Sequence, residues 1–351
     1  MKRLISALLA ALLAAGLAAC GGGGASVSQP ASVPAGGQSA AQSEAAQPQS
    51  EPRPAGPVRI AGLKGPTTMG MVRLMEDQQA LENPAYQVEM YGAADEIVPL
   101  LTKGELDMAA IPANLAATLY QKTGGEVQVA AVNTLGVLYV VAIGGGVESV
   151  QQLQGRTIYS TGKGTTPEYV LNYILQKNGL DPAKDVTIEY KSEATEVLAL
   201  LQNAGEGAVA VLPQPYVTAA QAQVEGLTVA LDLTEEWNKI DPDSQLVTGV
   251  LAVCTAFARQ NKETLEEFLQ SYQASIEWVV QNTAEAAQLV AEYGIVAKAP
   301  LAEKALPACN LTYLSGGQMK QALAGYLTVL HGQEPAAVGG ALPGDDFYYG
   351  A

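Results

Sequence analysis

From Val58 onward the chain alternates short apolar runs with amphipathic stretches, and only a layered α/β fold absorbs a pattern of that kind. Val58–Ala61, Tyr86–Tyr91, Leu106–Ile111, Val127–Val132 and Leu138–Ile143 read as strands. Between them Thr67–Gln78, Ala94–Thr102 and Pro112–Tyr120 read as helices, the last with proline at a tolerant first turn. The alternation then starts again. Thr157–Tyr159, Val186–Tyr190, Ala208–Leu212, Leu227–Leu231 and Gly249–Val253 are strands, and Pro167–Lys177, Glu193–Asn203 and Pro215–Gln223 are helices. Beyond them nearly everything is helical: Lys262–Gln281, Ala284–Tyr293, Ala299–Ala305 and Gly317–Leu330. Strands separated by helices predict parallel sheets covered on both faces. The part from Pro57 onward, about 295 residues, exceeds one comfortable core, so two lobes are expected.

The two halves open alike. Leu63-Lys64-Gly65-Pro66-Thr67-Thr68 follows the first strand, and Gly162-Lys163-Gly164-Thr165-Thr166-Pro167 follows the first strand of the second half. Each runs into a helix. Glycine lets backbone approach a ligand, threonine caps helix N–H groups, and a helix N-terminus favours anions and carbonyl oxygens. Two facing lobes would bring both loops to one cleft. Plain helix capping accounts for the same residues equally well.

The N-terminus carries a different signal. Lys2 and Arg3 precede an uncharged apolar stretch, Leu4–Leu17, which runs into Ala18-Ala19-Cys20. That stretch is shorter than the roughly 20 residues a bilayer span requires, so residues 1–19 are expected to be a signal peptide. Leu17-Ala18-Ala19-Cys20 resembles the lipobox of bacterial lipoproteins. The resemblance implies cleavage before Cys20, acylation of that cysteine, and a lipid anchor on the extracytoplasmic face of the cell membrane. Residues 20–56, rich in Gly, Ser, Ala, Gln and Pro, predict a disordered tether.

The formal charge is −16, and loss of Lys2 and Arg3 would make it −18 (−16 − 2). With no Lys/Arg cluster, nucleic acid is excluded as a partner. One histidine, His331, argues against a zinc site of ordinary composition, so no metal and no cofactor are expected. Cys254 and Cys309 either pair in an oxidising compartment or stay as buried thiols. The Lys163 loop is not a nucleotide-phosphate loop, because Gly164 follows the lysine and Thr157 stands where the first glycine belongs. No nucleophile elbow is present.

Several stretches together resemble the solute-binding proteins of ABC importers, in particular the nitrate/sulfonate/taurine-type family with its binders of thiamine-pyrimidine precursors. They are Leu63-Lys64-Gly65-Pro66-Thr67 with Met69-Gly70-Met71, Lys103-Gly104-Glu105-Leu106-Asp107-Met108-Ala109, Ile111-Pro112-Ala113-Asn114, and Gly164-Thr165-Thr166-Pro167-Glu168. The resemblance runs from about Pro57 to about Asp346. It implies a two-lobe type II periplasmic-binding-protein fold with a hinged interlobe cleft. Lobe one would comprise 57–140 and 250–351 and lobe two 141–249, with crossings near Gly136–Gly144 and Ser244–Val253.

By the same resemblance the ligand-binding residues are Lys64, Thr67, Thr68, Met69, Asp95, Asn114, Lys163, Thr165, Thr166, Gln214 and Tyr216. All fall in loops at the carboxyl ends of expected strands, where open α/β sheets bind ligands. None of these loops contains an arginine, the usual bidentate partner of a sulfonate or carboxylate. The implied protein is a monomer that hands a small solute to an ABC permease and its ATPase and catalyses nothing. An exported two-lobe enzyme of pyrimidine-related metabolism and a ligand-sensing lipoprotein are the alternatives.

Overall fold

The computed structural model describes residues 56–242 and 244–351. The expected signal peptide, Cys20 and nearly all of the tether lie outside them. The chain begins with strand β1 (Val58–Leu63), a one-turn helix α1 (Pro66–Met69), α2 (Val72–Gln79), β2 (Tyr86–Tyr91), α3 (Ala94–Thr102), β3 (Met108–Pro112), α4 (Ala113–Thr123) and β4 (Val127–Leu135). A second series follows: β5 (Leu138–Ile143), β6 (Thr157–Thr161), α5 (Thr166–Lys177), β7 (Thr187–Lys191), α6 (Ala194–Asn203), β8 (Val209–Pro213), α7 (Tyr216–Gln223), β9 (Leu227–Asp232) and α8 (Leu233–Ile240). The rest comprises β10 (Val247–Cys254), α9 (Thr255–Gln260), α10 (Lys262–Gln281), α11 (Thr283–Glu292), α12 (Ala299–Ala305), β11 (Leu311–Leu314) and α13 (Gly316–Gln333).

The strands form two sheets, ordered β11-β4-β10-β3-β1-β2 and β7-β6-β8-β5-β9. In each, the strand next to one edge runs parallel to both neighbours: β1 with β2 and β3, β6 with β7 and β8. The sheets are nevertheless mixed, not parallel as the alternation predicts. Strand β10 is antiparallel to β3 and β4, and β5 is antiparallel to β8 and β9. The cause is connectivity. A parallel neighbour needs a crossover of a dozen residues or more, whereas β5 follows β4 after two residues and enters the other sheet.

The chain therefore passes between sheets at Gly136–Val137 and again over residues 241–246. Both passages are shorter than the segments the sequence suggests, because Leu138–Ile143 and Val247–Cys254 are already strands. Three elements escape the sequence reading: α8, the short α9 and β11. Helix α8 is capped by Asp232, whose side chain accepts from Thr234 N at 2.8 Å, and it buries Leu233 and Trp237. Strand β11 has four half-buried residues at a sheet edge, too few for period-two alternation to register.

The expected helix Thr67–Gln78 is broken at Gly70–Met71. A Cβ on Gly70 would lie 2.6 Å from Ile276 Cγ1, so α10 presses against the break. Ser275, one residue earlier on α10, donates to Gly70 O at 2.7 Å and accepts from Leu74 N at 3.0 Å. The largest apolar cluster is continuous across both sheets. It takes Ile111 and Val132 from the first, Val140, Ile158 and Val211 from the second, and Trp237, Tyr326 and Leu327 between them.

Candidate functional site

Each sheet ends in three strand–loop–helix corners of matching kind. At the first pair, β1 turns into α1 and β6 into α5. Gly65 has φ 154°, and its carbonyl accepts from Thr68 N and Met69 N at 3.1 and 3.3 Å. The threonines do not cap these helices, contrary to the simplest reading of the sequence. Thr165 Oγ1 donates back to Gly162 O at 2.7 Å. The Gly164 N–H is instead taken by the Glu168 carboxylate. The second pair of corners repeats the device. Glu96 Oε1 accepts from Ala93 N at 3.1 Å before α3, and Glu196 Oε2 from Ser192 N at 3.2 Å before α6. First-turn carboxylates are thus held by loop backbone and by the positive end of the helix.

The third pair is Pro112-Ala113-Asn114 and Pro213-Gln214-Pro215-Tyr216. Gln214 is buried, its N–H donates to Val137 O at 3.0 Å, and its Oε1 accepts from Thr218 Oγ1 at 2.8 Å. That holds the carboxamide oxygen against Thr218 in the first turn of α7. Tyr216 is half-buried against the second sheet's own apolar cluster. Asn114 is half-buried at the start of α4.

Of the residues singled out in the sequence, Asn114 and Thr166 meet across the lobes: Thr166 Oγ1 lies 3.5 Å from Asn114 Oδ1. Tyr326 on α13 completes the junction by donating to Thr166 Oγ1 at 3.3 Å. Its ring continues through Trp237 at 5.8 Å to Tyr173 at 4.6 Å. Thr67, Thr68 and Met69 are buried. Thr67 packs beside Gly249 and Asn133: a Cβ on Gly249 would come within 2.5 Å of Thr67 Cγ2 and 2.6 Å of Asn133 Oδ1. Met69 points into the apolar cluster of α11 and α12. Lys64, Lys163 and Thr165 are exposed on the corner loops, and Asp95 is exposed in the first turn of α3.

The groups buried at these corners are uncharged. Asn133 and Thr134 form a buried polar pair on β4, with Thr134 Oγ1 donating to Asn133 Oδ1 at 2.9 Å. Asn133 Nδ2 and Thr68 Oγ1 are buried with no hydrogen-bond partner among the described residues. Beside the Lys163 loop a recess of about 500 Å³ is lined by Glu168, Tyr169, Asn172, Gln333 and Glu334. Burial, and then Glu334 and Glu168, push the Tyr169 hydroxyl up from its ordinary pKa. The recess therefore disfavours negative charge. Arg59, Arg73 and Arg156 are engaged elsewhere, with Asp107, Asp77 and the Gly146 and Gly207 carbonyls.

Asn133, Thr134 and Tyr326 were not singled out in the sequence. Asn133-Thr134 was detectable as a polar interruption at the end of an apolar strand; Tyr326 reads as one more core residue on its helix. No disulfide joins Cys254 and Cys309: Cys254 Sγ faces the Leu106 carbonyl at 3.2 Å and Cys309 Sγ the Ala305 carbonyl at 3.2 Å. Among the described residues no group of three or more His, Cys, Asp or Glu side chains could hold a metal ion, and no helix is long and apolar enough to cross a membrane.

Two mixed sheets with matching strand order, β2-β1-β3-β10-β4 and β7-β6-β8-β5-β9, the first with β11 added at one edge, define a two-lobe fold of the type II periplasmic-binding-protein architecture. Solved structures of that architecture superpose on the chain. An ABC transporter protein from Parabacteroides distasonis does so with a TM-score of 0.71 and 25% identity, covering 84% of this chain and 99% of that one. The periplasmic aliphatic sulphonate binding protein SsuA from Escherichia coli gives 0.64 at 18% identity, covering 80% and 88%. The periplasmic nitrate-binding protein NrtA from Synechocystis PCC 6803 gives 0.52 at 14%, covering 77% and 76%. A family model described as NMT1/THI5 like matches residues 85–286, more than half of the 351 residues, and the chain belongs to that family. No curated protein matches it.

Proposed function

We propose that this protein is the solute-capturing component of an ABC importer, anchored outside the cell membrane by a lipid on Cys20. As a monomer it takes one small organic solute between its lobes and passes it to a permease and its ATPase, without chemistry on the solute. The observation that carries this reading is the Asn114–Thr166 contact, which joins the first turns of α4 and α5 at corners of the two sheets, where such folds take ligands. Family membership and the likeness to transporter proteins support it.

Lobe one is taken as 57–140 with 250–351 and lobe two as 141–249. The solute's neighbours are Lys64, Thr67, Thr68, Met69, Asp95, Asn114, Lys163, Thr165, Thr166, Gln214 and Tyr216. The solute itself is a neutral or weakly anionic planar ring, such as a pyrimidine, in preference to a small sulfonate. Buried threonines and carboxamides supply hydrogen bonds without charge, and the two lysines are exposed. The neighbours named for sulphonate and nitrate share the fold at 18% and 14% identity.

A thermal-shift screen of pyrimidines, flavins, sulfonates and short carboxylates tests the reading. A solute at a hundred times its Kd stabilises the folded state by about 2.7 kcal/mol. Binding of a pyrimidine with little dependence on salt is the expected result. Steep salt dependence, with loss of binding in Lys64→Ala, would assign an anion instead. For the anchor, Cys20→Ser should move the protein out of the membrane fraction; continued acylation of that variant would exclude Cys20.

A further inference from the structure

The turn between α12 and β11 touches both sides of the first passage between sheets. On the lobe-one side, Leu135 N donates to Asn310 O at 3.0 Å, and Asn310 Nδ2 donates to Gly136 O at 2.5 Å. On the other side, Tyr139 of β5 donates its hydroxyl to Ala308 O at 2.9 Å. Asn310 holds φ at 45°, the left-handed region, where it is the one non-glycine residue among those described. Asparagine tolerates that region better than other side chains, but still at a cost that the surrounding contacts must offset.

Gly136 is equally confined. A Cβ there would lie 2.2 Å from Thr234 Oγ1 and 2.7 Å from Leu246 Cδ2. The first passage is therefore wedged against α8 and against the second passage, which contains Leu246. Hinges move by changing φ and ψ at a few residues. Here those residues are gripped by a segment that belongs to neither passage.

We propose that Ala308–Asn310 is a third strut of the hinge, in which Asn310 is a positioning residue that holds Gly136 and limits how far the lobes part. The strut acts on the seam through geometry alone. Opening must either stretch the Asn310–Gly136 and Tyr139–Ala308 bonds or carry the turn along with both lobes. It rests on the two-lobe fold and on no property of the solute, so it stands or falls separately from the transport reading.

Hydrogen exchange on the full chain without added solute tests it. Asn310→Gly keeps the left-handed backbone and removes the amide. Tyr139→Phe keeps the buried ring and removes the hydroxyl on the far side. Each loses one hydrogen bond, which corresponds to about three- to tenfold more frequent opening. The expected result is faster exchange of that size in peptides over 134–139 and also in the distant seam, 163–169 and 322–330, for both variants. A rise confined to 306–314 in Asn310→Gly would make the residue a builder of its own turn only. Unchanged seam peptides in Tyr139→Phe would overturn the proposal, even where Asn310→Gly fails to fold.

Discussion

Gly249 carries more of the site than its size suggests. It sits on β10 where Thr67 and Asn133 close in from two other elements, and any side chain would enter that space. Gly249→Ala should destabilise by about 1–3 kcal/mol through overpacking, measurable as a lower urea midpoint. Cys309 offers a pH test. It is fully buried, and burial pushes its thiol up to about 12. In the unfolded chain the thiol titrates near 8.5. Between about pH 8.5 and 10 the folded state then binds more protons than the unfolded one, so stability falls as pH rises. Cys309→Ala should flatten that fall, and native Cys309 should resist thiol reagents at neutral pH. An equal slope in both proteins would contradict the burial.

At the scale of elements, the break between α1 and α2 turns two threonines toward the sheet. A continuous helix would carry Thr67 and Thr68 along a straight axis; the one-turn α1 buries both. Ser275 bridges the break with two hydrogen bonds. Ser275→Ala leaves Leu74 N without its partner and should cost about 1–3 kcal/mol, read from denaturant unfolding. The break illustrates what a single sequence conveys. Strand–helix order, the paired corner loops and the long C-terminal helices follow from periodicity and capping residues. The interruption at Gly70 does not, because its cause is Ile276, some two hundred positions away. Asn114 and Thr166 were named from the family's pattern. Their direct contact, and the Tyr326 hydroxyl that joins it at Thr166, depend on how α4, α5 and α13 pack together, which no local pattern encodes.

For the whole molecule, the continuous cluster through Trp237 and Tyr326 implies that the lobes are not independent folding units. Tryptophan fluorescence and far-ultraviolet circular dichroism should report one coincident unfolding transition. Trp237→Ala empties the centre of the cluster and should cost about 3–5 kcal/mol. Two separated transitions in the native protein would mean that the seam is too weak to couple the lobes.

Strand β10 lies between β3 and β4 in the middle of the first sheet, yet it is made only after all of the second sheet's strands. A chain emerging from its N-terminus therefore has β1–β4 in hand with the central place in their sheet unfilled. Until Val247–Cys254 arrive, the Ile111 and Val132 backbones lack their ladder partners. A chain exported as proposed above would have to remain threadable while it crosses a membrane. With β10 ending at Cys254 of 351 residues, the first sheet cannot be completed before about seven tenths of the polypeptide is available, so the order of strands would then double as a timer on folding.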